Sequence, residues 1–147
     1  MTEGEGLQRR DVVTAFLRHG GRLLLVRRSE RVWSYRGDWA GISGHLEAPT
    51  ALDQALREIR EESGLRNDQV RLIAAGERLE VPAPELGTLW VVHPFLFDVD
   101  DPDAVRLDWE NVEARWVAPD ELPQYRTVPA LAAALAACLE AEAASRG

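Results

Sequence analysis

Lysine is absent from the chain, so its 17 basic side chains are all arginines. A lysine nucleophile or Schiff base is therefore excluded. Cysteine occurs once, at Cys138, which rules out an internal disulfide framework and any cysteine-based zinc site. A reducing cytoplasm is the location expected from that usage. No apolar run reaches the ~18 residues that a membrane-crossing helix needs. The opening MTEGEGLQRRD also lacks the apolar core of a secretory signal. Positive charge is in deficit, because 25 Asp and Glu leave a formal charge of −8 and a pI near 4.9. Such a surface argues against passive binding to nucleic acid or to an anionic membrane. A phosphorylated substrate stays open if a metal ion brings the positive charge.

What is present is globular. The composition is 46% hydrophobic and 29% charged, and 147 residues fit a single domain spanning 1–147. Residues 1–10 are expected to be flexible. Residues 11–18 and 22–28 are β-type runs around His19-Gly20-Gly21, which reads as a hairpin. A loop rich in Trp, Tyr and Gly leads to a short apolar stretch, Trp39 to Leu46. The clearest helix starts at the N-cap Thr50, with Asp53 at its third position, and buries Leu52, Ala55, Leu56 and Ile59. Gly64 stops it. Residues 69–81 and 88–99 read as strands joined by the turn Pro82 to Gly87, and Pro94 suggests an edge or a bulge in the second. Asp100 to Asn111 is an acidic loop, 113–118 a short strand, and 128–144 a terminal helix. Strands that bracket two helices point to an α/β (α+β) fold, a sandwich built on a mixed sheet. The Ala/Leu-rich stripe of 130–139 packs either on the core or on a second copy in a homodimer.

Chemistry concentrates in the helix. Glu58, Glu61 and Glu62 stand at i, i+3 and i+4, within an arc of about 100°, so all three leave one side of the helix. Like charges repel there, and a helix C-terminus disfavours anions further. Arg57 and Arg60 offset part of this, and a hard divalent cation would offset more. A solvated face of interspersed Glu and Arg is the bland alternative.

The string Arg57-Glu58-Ile59-Arg60-Glu61-Glu62-Ser63-Gly64-Leu65 resembles the second half of the Nudix box, G-x5-E-x7-R-E-U-x-E-E-x-G-U, where U is a bulky aliphatic residue. Arg57, Glu58, Ile59, Glu61, Glu62, Gly64 and Leu65 all match. Gly41 to Glu47 resembles the family's glycine-containing segment before the helix, Leu23 to Arg28 the strand before that, and Trp116 to Leu122 the closing strand and turn. The first half of the box departs from the pattern. Counting back from Arg57 puts Pro49 where the first glutamate belongs and Ser43 at the glycine. Starting from Gly44 instead puts Thr50 at the glutamate, with the spacer one residue short. In the family that glutamate braces the loop, so Arg57 is expected to find another partner, Glu47 first and Asp53 second.

The resemblance implies a Nudix-type α/β/α sandwich and a hydrolase that cleaves a diphosphate linkage with Mg2+, or with Mn2+ in its place. It makes Glu58, Glu61 and Glu62 the metal ligands, with Arg57 orienting them and Gly44 permitting close backbone approach. Family members often add an acidic residue from the loop before the last strand. Asp108, Glu110 and Glu113 lie there, with Glu110 preferred. The general base is then one of Glu61, Glu62 and Glu110. Arg27 and Arg28 are candidates for a phosphate clamp. Trp33, Tyr35 and Trp39 are candidates to stack on a base, with Trp39 better read as core. His45 and His93 are better read as packing or surface groups than as ligands. The implied substrate is a nucleoside diphosphate derivative, with a nucleoside or deoxynucleoside triphosphate preferred for so compact a chain. Two rivals remain at this stage. One is a non-catalytic nucleotide sensor of the same fold. The other is a prenyl diphosphate isomerase, whose cysteine acid Cys138 is poorly placed to supply.

Overall fold

Alternation of apolar residues along the strands decides the architecture. The computed structural model describes residues 6–146, among which eight strands join in one sheet. They are β1 (Gln8–His19), β2 (Arg22–Arg28), β3 (Trp39–Ala40), β4 (Ile42–His45), β5 (Val70–Ala75), β6 (Leu79–Ala83), β7 (Thr88–Val99) and β8 (Asn111–Val117). The helices are α1 (Ala51–Ser63) and α2 (Leu131–Arg146). β1 runs parallel to β7 along Gln8 to Arg18. On its other edge it pairs antiparallel with β4 and, at Arg18 and His19, with β2. β2 carries β3 and β8, while β7 carries β5 and β6.

Successive side chains of a strand point to opposite faces, so each inner strand serves two cores. Val13, Ala15, Leu17, Leu24, Val26, Phe95 and Phe97 meet Ala55 and Ile59 of α1. Phe16, Leu23, Leu25, Leu96 and Val117 meet Leu131, Ala134, Leu135 and Cys138 of α2 on the other side. The expected α/β/α sandwich with a mixed sheet is what forms. The stripe within 130–139 lies against this chain's own sheet.

Local signals place α1. The Thr50 Oγ1 accepts a hydrogen bond from the Asp53 N–H at 3.1 Å, and Gly64 closes the helix at φ 75° while its N–H donates to the Arg60 carbonyl. Ile59 and Ala55 are fully buried as expected, whereas Leu52 and Leu56 are only half-buried. The face turned inward is therefore rotated, and Gln54, Glu58, Glu62 and Ser63 share it.

Four readings of the sequence are corrected. Gln8, Arg9 and Arg10 belong to β1 and pair with Thr88 to Trp90, so this part of the segment expected to be flexible is in the sheet, while its residues 1–5 lie outside the described ones. The run 69–81 is two strands. Its break falls at Gly76, where a Cβ would come within 2.8 Å of the Ala137 backbone, so the passage of α2 interrupts it. Pro94 sits in an interior strand, between β1 and that break. Its carbonyl accepts from the Gly76 N–H, and its missing N–H faces the gap, where no ladder bond is needed. The terminal helix begins at Leu131 rather than 128 and runs to Arg146. No helix among the described residues is long and apolar enough to cross a membrane.

A single arginine fastens α2 to the sheet. Arg18 of β1 donates to both Glu142 oxygens at 3.0 and 2.8 Å and to Asp98 of β7 at 2.9 Å. Glu142 is buried, and removing Arg18 leaves it only the exposed Arg146, at 2.9 Å, as a cationic partner. Arg18→Ala is expected to lower unfolding stability by about 2–4 kcal/mol in urea titrations. A loss under about 0.5 kcal/mol, typical of exposed pairs, would show that the clamp contributes little.

Candidate functional site

The inward turn of α1 brings two acidic side chains beneath the sheet edge. Glu58 is 8% exposed and Glu62 is 1% exposed, which is rare for carboxylates. Glu110, from the turn that enters β8, joins them, and one oxygen from each of the three lies within 4.8 Å of the others. Glu110 is held by its N–H, which donates to Asp108 at 3.0 Å, and by its carbonyl, which accepts from Ser29 at 2.8 Å.

Gly44 makes the approach possible. A Cβ on it would stand 2.2 Å from the Glu58 carboxyl carbon, so a side chain at this position would push the Glu58 carboxylate out of its place against β4. Two groups not singled out by the sequence complete the surroundings. The Gln54 amide donates to Glu58 at 3.0 Å, and the Asn111 amide donates to Glu62 at 3.0 Å. Both are buried. The i,i+4 spacing of Gln54 and Glu58 is a local signal that could have shown the first, whereas Asn111 and Glu62 lie too far apart in the chain for a local motif to show the second.

Burial and proximity raise the proton affinity of all three carboxyl groups. Burial raises the Glu62 carboxyl well above the usual carboxylate range, and its contact with Glu58 and the Glu110 charge push the same way. Glu58 is raised too, first by burial. Glu110 is pushed up to about 7 by burial, then by Asp108 and Glu58. The second Glu62 oxygen is buried without any hydrogen-bond partner. Such an atom is costly unless something fills its coordination, and three converging carboxylates suit a hard divalent cation. The residues present fit one.

Glu61 is exposed and outside the 4.8 Å cluster, although its charge reaches Glu58 and Glu110. The angular arc on the helix grouped it with the other two, but the sheet edge divides them. Arg57 is half-buried, and the loop before α1 is joined to the helix through Gln54 rather than through a Glu47–Arg57 pair.

A cavity of about 360 Å³ opens beside the carboxylates, and Gly44 and Glu110 line its near end. Arg28 lines it as well, close enough to Glu62 and Glu110 to feel their charge, with its Nε donating to the Ser34 carbonyl at 3.0 Å. Arg27 does not reach it and pairs with Glu113 at 3.2 Å. Trp33, Tyr35, His45 and Trp90 form an aromatic wall. Trp33 stacks on His45 with centroids 6.2 Å apart, and the Trp90 Nε1 donates to the Tyr35 hydroxyl at 2.9 Å. Tyr35 is held at φ 52°, an unfavourable value for a non-glycine residue. Trp39 is core, packed edge-on to Tyr125. His93 pairs with Asp11 away from the cavity. Cys138 is buried on the sheet-facing side of α2, and burial pushes its thiol up to about 11, so it offers no acid to the cavity.

The family model described as NUDIX domain matches residues 7–138. No curated protein matches the chain. Among solved structures, a NUDIX hydrolase from Nitrosomonas europaea is 24% identical with a TM-score of 0.70, over 88% of this chain and 87% of that one. An Ap4A hydrolase from C. elegans is 20% identical with a TM-score of 0.70, over 93% and 98%. A MutT NUDIX hydrolase from Burkholderia pseudomallei is 26% identical with a TM-score of 0.64, over 88% and 98%.

Raised carboxyl pKa values carry a pH signature. A carboxyl whose folded pKa exceeds its unfolded value favours the fold at low pH and loses that contribution as pH rises through the folded value. For Glu110 the window runs from the ordinary 4.5 to about 7. Without divalent ions, the melting temperature is expected to be roughly 3–6 °C higher at pH 5.5 than at pH 8. Millimolar Mg2+ should close most of that gap by stabilising the pH 8 sample. Equal melting temperatures without the ion would contradict the assigned shifts.

Proposed function

As a member of the NUDIX domain family this chain is a pyrophosphohydrolase, and we propose that it uses Mg2+ to cleave a nucleoside or deoxynucleoside triphosphate. The observation that carries the metal reading is the buried, partnerless oxygen of Glu62 inside a cluster of three carboxylates. The chain acts as a single domain, since one sheet backs both cores and the cavity.

Glu58, Glu62 and Glu110 are the residues that would hold the ion. A divalent cation bound by them, Mg2+ or Mn2+, would supply charge to neutralise phosphate oxygens and would lower the pKa of a water. Arg28 clamps the phosphates with the guanidinium nitrogens left free by its bond to Ser34. Trp33, together with Tyr35 and His45, offers the aromatic wall on which a base stacks. Glu61 stands clear of the cluster and open to water, which suits it to accept the proton. The water oxygen attacks one phosphorus, the bridging P–O bond breaks, and the departing phosphate keeps the electron pair. Arg57 sits one residue before Glu58 and steadies the helix turn that presents it. The cavity volume and aromatic wall support a nucleotide, and the triphosphate preference rests on the compactness of the chain.

A panel of nucleotides and diphosphate conjugates, assayed for phosphate and pyrophosphate release with and without Mg2+, tests the reading. Release is expected only with a divalent ion and should fall at least 100-fold in Glu62→Gln, given the weight of charge stabilisation in such sites. Glu61→Gln should lower kcat by roughly 10²–10⁴-fold while leaving Mg2+ affinity nearly unchanged. Activity that survives both metal removal and Glu62→Gln would overturn the mechanism. Tight nucleotide binding without turnover of any diphosphate would point to a sensor.

A further inference from the structure

One buried amide links the loop before α1 to the cation site. Gln54 is 1% exposed and lies on the inward face of α1, one turn before Glu58. Its side-chain oxygen accepts from the N–H groups of Glu47 at 2.9 Å and Ala48 at 2.8 Å. Two donors on one oxygen fix the amide's orientation, so its NH2 group must face the other way. There it donates to the Glu58 Oε1 at 3.0 Å. Glu58 is thus held between two walls, with the Gln54 amide on one side and the Gly44 backbone on the other, where a Cβ would stand 2.2 Å away.

We propose that Gln54 is a positioning residue of the cation site, which sets the Glu58 carboxylate for the ion and ties its position to the loop at Glu47 and Ala48. The proposal rests on Glu58 being a ligand. Three features favour positioning over simple packing. An apolar side chain of similar length would fill the same volume, yet would leave two buried backbone donors unmatched. It would also release one oxygen of a carboxylate that already sits against Glu62. Finally, the bond from an amide donor occupies one lone pair of Oε1 and leaves Oε2 directed elsewhere, a constraint on orientation rather than on volume. Gln54 thereby supplies the tie between loop and helix that the Pro49 or Thr50 position cannot make with a carboxylate.

The test measures Mn2+ binding by paramagnetic resonance, and the Mg2+ dependence of turnover, in the full chain. The variants are Gln54→Met, Glu58→Gln and the two combined. Gln54→Met is expected to weaken Mn2+ binding about tenfold and to raise the Mg2+ concentration for half-maximal turnover by a similar factor. Saturating Mg2+ should restore kcat to within about threefold, with KM for the nucleotide changed less than twofold. In the Glu58→Gln background the further effect of Gln54→Met on Mn2+ affinity should vanish, because the two residues act through one contact. Unchanged Mn2+ affinity in Gln54→Met, or an equal loss in both backgrounds, would overturn the proposal while leaving Glu58 as a ligand. Unchanged affinity in Glu58→Gln alone would overturn both readings. Gln54→Asn keeps the amide one methylene short and reads the same quantities should the methionine variant not fold.

Discussion

The structure depends on two carboxyl groups buried side by side near the C-terminal end of one helix. Glu58 and Glu62 lie one turn apart on the inward face of α1, where desolvation and the helix dipole oppose ionisation of both and the contact with Glu58 opposes that of Glu62 further. Such a pair is stable only when its surroundings supply compensating groups. Here Gln54 and Asn111 each donate one hydrogen bond, and the remaining Glu62 oxygen has no protein partner. Together with Glu110 the pair forms a set of carboxylate donors that suits a hard divalent cation. A protein selected for stability alone would place apolar residues at these positions.

The sheet is arranged to keep that strained group in place and to set a cavity beside it. β1 and β7 run parallel through the middle and give one face to α1 and the other to α2. β4 pairs with β1 so that Gly44 lies against Glu58, and Gly44 also lines the cavity. That one residue, lacking a side chain, is the boundary between the carboxylates and the cavity. Glu110 and Arg28 reach the same boundary from the turn before β8 and the end of β2, bringing opposite charges to one small volume. The aromatic wall of Trp33, Tyr35, His45 and Trp90 closes the far side.

How much of this can be read from the sequence follows the range of each interaction. The limits of α1 were legible because Thr50 and Gly64 act within a turn of themselves. The hairpin at His19 to Gly21 and the register of apolar alternation were legible for the same reason. The break in 69–81 was not, since it comes from α2 crossing at Gly76, some sixty residues along the chain. Pro94 signalled irregularity correctly in kind, but its place in an interior strand depended on where β5 ends. In the site, Glu58 and Glu62 were legible from the REIREESGL string, and Glu110 from its place in an acidic loop before the last strand. Helical angle could not separate Glu61 from them, because 100° per residue says nothing about which side of an arc meets the sheet. Asn111 was missed because its partner Glu62 is brought near only by folding, whereas Gln54 stands one helical turn from Glu58 and was hidden by its place on a face that the apolar stripe did not mark as buried. Arg27 and Arg28 are adjacent and chemically identical; alternation along β2 sends them to opposite sides, and nothing local says which one faces the cavity and which faces Glu113.

The central claim, that Glu58, Glu62 and Glu110 form a divalent cation site, is tested most directly by crystals grown with Mn2+ and measured for anomalous scattering. The account predicts one strong anomalous peak with an oxygen of Glu58 and an oxygen of Glu62 within about 2–2.5 Å, and Glu110 bound directly or through one water. A peak held by exposed carboxylates elsewhere, or none at this cluster at millimolar Mn2+, would contradict it.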